Sequence, residues 1–199
     1  RPVGRPYRGG SRTWETQLSL RAWMEPDATA PRVLGQTTTW AELDRRGTAL
    51  AGALGRRGVG FGDRVLILML NRTEFVESFL AANLLGAIAV PVNFRLTSDD
   101  FASIIKHSGA RVVCAHADYL EAVNGIRGGL SGVEHFVALE GAREGWLDYE
   151  TLVSRASPAF TPAVVDERDQ LPIHHPSGPH LPPHGGVVHH PTPYPNRLG

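Results

Sequence analysis

The chain has 199 residues, enough for a domain with a real core, and its 20 Lys plus Arg balance 20 Asp plus Glu. Zero net charge sets up no overall field for nucleic acid or for an anionic membrane, so partners have to be argued from sites. The single cysteine, Cys114, excludes an internal disulfide and a zinc-thiolate cluster, and no apolar run approaches the roughly 18 residues of a membrane-crossing helix.

Residues 1–12 place Arg1, Arg5, Arg8 and Arg12 among Gly and Pro with almost nothing to bury, and are expected to be disordered. The apolar segment of a signal peptide is missing there, so the expected compartment is the cytoplasm. From Trp14 to Met24 the apolar positions Trp14, Leu18, Ala22 and Trp23 keep a helical period that Pro26 ends. Arg32 to Leu34 and Gln36 to Thr39 flank Gly35 as two short strands of a hairpin. Thr39 can cap a helix over residues 40–57, with Leu43, Leu50 and Leu54 as its apolar ridge.

The centre of the pattern is residues 62–96. Val65 to Leu70 is unbroken apolar and of strand length, which suits a strand covered on both faces. Phe75, Val76, Phe79, Leu80, Leu84 and Leu85 then recur at helical spacing, Gly86 supplies a stop, and Ile88 to Val92 is a second apolar run. Strand, helix and strand in about thirty residues make a βαβ unit, so the fold class is α/β with a mostly parallel sheet flanked by helices. Glu74 and Glu77 fall on the expected solvent side of that helix. Trp14, Trp23 and Trp40 are expected to anchor packing rather than stack on a ligand.

Thr97 and Asp100 form a capping-box start to a helix over Phe101, Ile104 and Ile105, which Ser108 and Gly109 stop. Arg111 to Ala115 is a further strand with Cys114 as a core thiol, followed by a short helix from Asp118 to Val123. Gly125 to Gly132 reads as loop, His135 to Leu139 as a strand, and Asp148, Tyr149 and Leu152 as a short helix; residues 158–162 read as a connector. From Pro172 the character changes: the span to Pro195 holds eight of the 15 prolines and six of the 9 histidines, so regular structure is expected there at most over Gly186 to Val188.

The phrases Thr39-Trp40-Ala41-Glu42-Leu43, Gly62-Asp63-Arg64-Val65, Asn71-Arg72-Thr73-Glu74-Phe75 and Ala87-Ile88-Ala89-Val90-Pro91-Val92-Asn93-Phe94-Arg95-Leu96 resemble the start of the adenylate-forming enzymes. Within that AMP-dependent synthetase/ligase superfamily the chain is most similar to the fatty-acid–CoA ligases. The resemblance covers residues 14–190 and is densest from Thr37 to Thr97. It implies an N-terminal subdomain, truncated, in which residues 13–171 are a partial synthetase/ligase domain and 172–199 a Pro/His-rich degenerate phosphate-loop region. The intact family uses ATP, Mg2+ and CoA. A carboxylic (fatty) acid attacks the α-phosphorus of ATP, and the CoA thiol then displaces AMP from the acyl adenylate. No nucleic acid is expected among its partners.

The resemblance also implies a phosphate loop of the form T-S-G-T-T-G-x-P-K-G, matched here by Pro176 to Gly185. Ser177, Gly178 and Gly185 agree with it, and His184 stands where the lysine belongs. Pro176 and Pro179 replace threonines, removing a hydroxyl and a backbone donor each, while His180 replaces a hydroxyl residue and Leu181 a glycine. An imidazole is mostly neutral near pH 7, so the lost lysine charge is not replaced. The expectation is a catalytically incompetent chain with Ser177, Gly178, His184 and Gly185 as remnants of an ATP site, and with no catalytic residue of its own.

Two other classes compete. His174, His175, His180, His184, His189 and His190 suggest a His-rich metal-binding module, but Pro182 and Pro183 forbid the helix that would align His180 with His184. A non-catalytic interaction protein derived from a ligase domain is the third reading, and nothing in the sequence selects its partner.

Overall fold

A computed structural model describes residues 14–30, 37–93, 95–141, 143–154, 160–163, 170–174 and 186–189, the side chains of 14–16, 170–174 and 186–189 excepted. The helices are α1 (Trp14–Met24), α2 (Trp40–Gly55), α3 (Thr73–Leu84), α4 (Ser98–Ser108), α5 (Ala117–Ile126) and α6 (Tyr149–Ser154). The strands are β1 (Arg64–Leu68), β2 (Ile88–Pro91), β3 (Val112–His116), β4 (His135–Leu139), β5 (Leu147–Asp148), β6 (Gln170–His174) and β7 (Gly186–His189). They form one sheet in the order β5-β4-β3-β1-β2-β6-β7, with β1 in the middle. All neighbours are parallel except β6 and β7.

Burial on both faces explains why β1 carries no polar alternation. Val65, Ile67 and Met69 enter one core with α2, α3 and α6, while Leu66 and Leu68 enter a second core with α4 and α5. Caps fix where the helices begin. Thr39 accepts from the Glu42 amide, and Thr97 with Asp100 closes a reciprocal capping box at the head of α4. Gly109 ends α4 in the left-handed region at φ 63°. Gly47 serves closeness instead: a Cβ there would lie 2.5 Å from Leu80 Cδ2, so its absence sets how near α2 comes to α3.

Several expectations need correction. Trp23 is 46% exposed and belongs to neither core, whereas Trp40 packs against the first; the Trp14 side chain lies outside the described residues. Gly125 lies inside α5, and a 3-10 turn, Arg127–Gly129, follows it. Proline density failed to keep residues 170–174 irregular. Pro172 pairs with Ala89 at the junction with β2, and the β6–β7 register shifts between Gln170 and Ile173, so the residue without an amide sits at an irregularity in the ladder. β5 was not anticipated, two residues being too few for any pattern. The hairpin turn around Gly35 and the N-terminal residues 1–12 lie outside the described residues; an antiparallel bridge, Thr29 with Thr39, stands at the start and end of that hairpin segment.

Candidate functional site

In a parallel sheet every strand delivers its connection at the same edge, and the helices that follow present their amino ends, with partial positive charge, to that edge. Here β1, β3 and β4 release their chains there, and the segment 175–185 that holds Ser177, Gly178, His184 and Gly185 leaves from the end of β6 on the same edge. Those four residues lie outside the described residues, as do His175, His180 and His190; the sheet therefore fixes the edge at which the candidate loop departs.

Three strand ends meet beside it in one polar cluster. Arg72, the N-cap of α3, places Nη1 2.9 Å from His116 Nε2 and donates through Nη2 to Glu140 and through Nε to Glu74. An arginine can only donate, so His116 Nε2 accepts when the ring proton is on Nδ1, where Asp118 Oδ2 lies at 3.1 Å. With the proton on Nε2, Glu140 Oε2 is in reach at 3.2 Å. Among the described residues Glu140 is the non-glycine residue with positive φ, 57°, and Gly141 follows at 95°. That unfavourable turn is held by the carboxylate's two partners. Partial burial would raise the Glu140 carboxyl, but hydrogen bonds from His116 and Arg72 hold it below its usual range.

A second cluster lies under the neighbouring helices and overturns one sequence expectation. Glu77 is 1% exposed, not on the solvent side of α3. It accepts from Arg46 Nε and from Tyr149 Oη, each at 2.7 Å, and Arg46 also donates twice to Glu150. Glu74 is largely covered as well, at 14% side-chain exposure beside Arg72. Burial pushes the Glu77 carboxyl up against the pull of its Arg46 and Tyr149 hydrogen bonds, and burial with the Glu77 charge pushes Tyr149 well up. The pair ties α2, α3 and α6 together. Above it, Thr37, Thr38, Arg46, Thr73, Glu74, Glu77 and Glu150 line an open groove of about 470 Å³.

Chemically, each charged group in these clusters already has an opposite partner, which makes them rigid scaffolding for the edge. Cys114 is fully covered and burial pushes its thiol up to about 12, so it stays protonated and unreactive. Among the described residues no group of three or more His, Cys, Asp or Glu is placed to hold a metal ion. The sequence reading missed Arg72, His116 and Glu140. Their common signal was position, each standing just after or at the end of an apolar strand.

Comparison with known proteins adds the following. The sequence profile described as AMP-binding enzyme matches residues 19–189. A long-chain-fatty-acid–CoA ligase of Thermus thermophilus is 39% identical over 127 residues, 63% of this chain and 24% of that protein. A long-chain-fatty-acid–CoA ligase of Mycobacterium tuberculosis is 33% identical over 173 residues, 85% of this chain and 32% of that protein. The crystal structure of an anthranilate CoA ligase in complex with anthranoyl-AMP superposes with a TM-score of 0.83 at 28% identity, covering 88% of this chain and 34% of that one. The chain thus spans a quarter to a third of the length of these relatives.

Proposed function

Since the chain belongs to the AMP-binding enzyme family, we propose that it is the N-terminal part of an ATP-dependent fatty-acid–CoA ligase. In the proposed reaction of the whole protein a fatty acid carboxylate attacks the α-phosphorus of ATP, pyrophosphate leaves, and the CoA thiol displaces AMP from the acyl adenylate. The observation that carries this reading is the family match itself, which runs unbroken through the sheet and the segment between β6 and β7. The similarity to two fatty-acid–CoA ligases supports the substrate class. We assign the cytoplasm as its compartment on the same reading; among the described residues no helix is long and apolar enough to cross a membrane.

The proposal extends to the state of this chain. The donor set at 176–185 fits ATP phosphates poorly: Pro176 and Pro179 offer neither hydroxyl nor amide where the pattern has threonines, Leu181 stands at a glycine position, and His184 replaces the lysine. A single lost donor to a developing anion costs about 2.7 to 4 kcal/mol in rate. With several lost together the 199-residue chain is inactive, with residues 172–199 as a degenerate loop region following a partial domain over 13–171. The assay is pyrophosphate release from ATP with Mg2+, CoA and a panel of short to long fatty acids. No acid-dependent release is expected from the wild-type chain, and none after Pro176, Pro179 and His180 are changed to Thr, Leu181 to Gly and His184 to Lys; weak ATP binding is the most the repaired loop should recover. Acid-dependent release by the wild-type chain above a no-protein control would overturn the inactivity.

A further inference from the structure

In the strand-end cluster His116 is the side chain of a type that changes charge between about pH 5 and pH 8. It ends β3, caps α5 and is 7% exposed, and it stands where the connections of the sheet diverge, β2 on one side of β1 and β3 on the other. Each ring nitrogen faces one donor and one acceptor. At Nδ1 these are the Asp118 amide at 3.4 Å and Asp118 Oδ2 at 3.1 Å. At Nε2 they are Arg72 Nη1 at 2.9 Å and Glu140 Oε2 at 3.2 Å.

A ring nitrogen that carries a hydrogen can only donate, and one that lacks it can only accept. With the hydrogen on Nδ1 the ring donates to Asp118 Oδ2 and accepts from Arg72, and these are the shorter contact at each nitrogen. With it on Nε2 the ring accepts from the Asp118 amide, donates to Glu140 and presents an N–H to the Arg72 guanidinium, 2.9 Å away. The doubly protonated ring donates to both carboxylates and sets a second positive charge against Arg72. The neighbouring elements bring further charges: Arg72 is tied to Glu74 through Nε and to Glu140 through Nη2, Glu121 of α5 is held by Arg143 at 2.6 Å, and Asp99 and Asp100 head α4.

We propose that His116 is a proton-operated latch on Arg72. The neutral ring carries its hydrogen on Nδ1 and holds Arg72 at the head of α3; a second proton, on Nε2, turns that nitrogen to Glu140 and drives the Nη1 side of Arg72 off the ring. Glu140 is then shared, one oxygen to each cation, and its left-handed turn with Gly141 follows the change. The rigidity of the cluster thus belongs to one charge state. Acid loosens the edge from which the 175–185 segment departs, coupling the heads of α3 and α5 to the turn after β4. Nothing in this device depends on adenylation.

The test is nuclear magnetic resonance of the 199-residue chain: two-bond proton–nitrogen correlations read the tautomer of each imidazole, and the Arg72 Nε–H signal reads the guanidinium. The His116 signals are assigned by their loss in His116→Gln and the Arg72 signal by its loss in Arg72→Met, with circular dichroism to verify that each variant is folded. Expected are the Nδ1–H form of His116 at about pH 8, protonation of both nitrogens on acidification, and an Arg72 shift with the same midpoint as the ring. In Arg72→Met the neutral ring should change to the Nε2–H form and cap α5, whereas Arg45→Ala, which removes the partner of Glu42 on α2, should leave the ring unchanged. An Nε2–H ring in the wild type at about pH 8 would make His116 an ordinary helix cap and overturn the proposal, even if Arg72→Met fails to fold. So would an Arg72 signal that ignores the titration of the ring, or the same neutral tautomer with and without Arg72.

Discussion

Glu77 shows what a single carboxylate does in this protein. It is buried between helices, yet the Arg46 guanidinium and the Tyr149 hydroxyl satisfy it, so removing it leaves a buried phenol with only the Glu74 carbonyl at 3.5 Å and an arginine with half of its partners. Glu77→Ala should therefore cost about 3 to 5 kcal/mol, measured by urea denaturation. The pH dependence has a definite sign. Because the folded carboxyl titrates above its unfolded value of about 4.3, the folded state holds this proton to higher pH; the stabilising contribution is complete below the unfolded value and declines as pH rises through the folded one. Subtracting the stability of Glu77→Gln from that of the wild type, from pH 4 upward, should give a difference that falls with pH. A difference that rises would mean that the Arg46 pairing outweighs burial. The sequence could not disclose this residue: periodicity puts Glu77 beside polar neighbours on a helix, and only Tyr149 and Arg46, 72 and 31 positions away, turn that face inward.

At the scale of elements the local signals were sufficient where they agreed. The βαβ unit, the Thr39 cap, the Thr97–Asp100 box and the stop at Gly109 are all legible, because each rests on chemistry within a few residues. Elements that depend on distant partners were not: β5 owes its existence to β4, and β6 overrides its proline through β2 and β7. The same distinction separates three substitutions. Leu68→Ala, at the centre of the sheet with no exposure, should cost about 2 to 5 kcal/mol. Thr97→Ala removes only a cap, about 1 kcal/mol. Gly47→Ala is the sharper test, since helix propensity alone favours alanine by about 1 kcal/mol. Its Cβ meets the buried Leu80 at 2.5 Å, so overpacking by about 1 to 3 kcal/mol should win and the variant should be less stable than wild type. A stabilised Gly47→Ala, by thermal or urea midpoint, would show that α2 can move away from α3.

For the whole molecule, a charge count carries no geometry. Twenty charges of each sign predict an indifferent surface, but the fold sorts part of them: each helix from α2 to α6 carries an acid in its first turn. The family resemblance was readable because its phrases are contiguous; the edges, made of residues far apart in the chain, were not. The seam between β2 and β6 adds a consequence for motion. It is registered through one pair, and the β6 member, Pro172, has no amide to give, whereas β3 and β4 share five registered pairs. β6 and β7 should therefore open as a separate foldon. Native-state hydrogen exchange should find the amides of β1 and β3 released only by global unfolding, and those of β7 released at a lower free energy and together with those of β6. Identical exchange energies across β1 and β7 would show instead that the seam transmits the full cooperativity of the sheet.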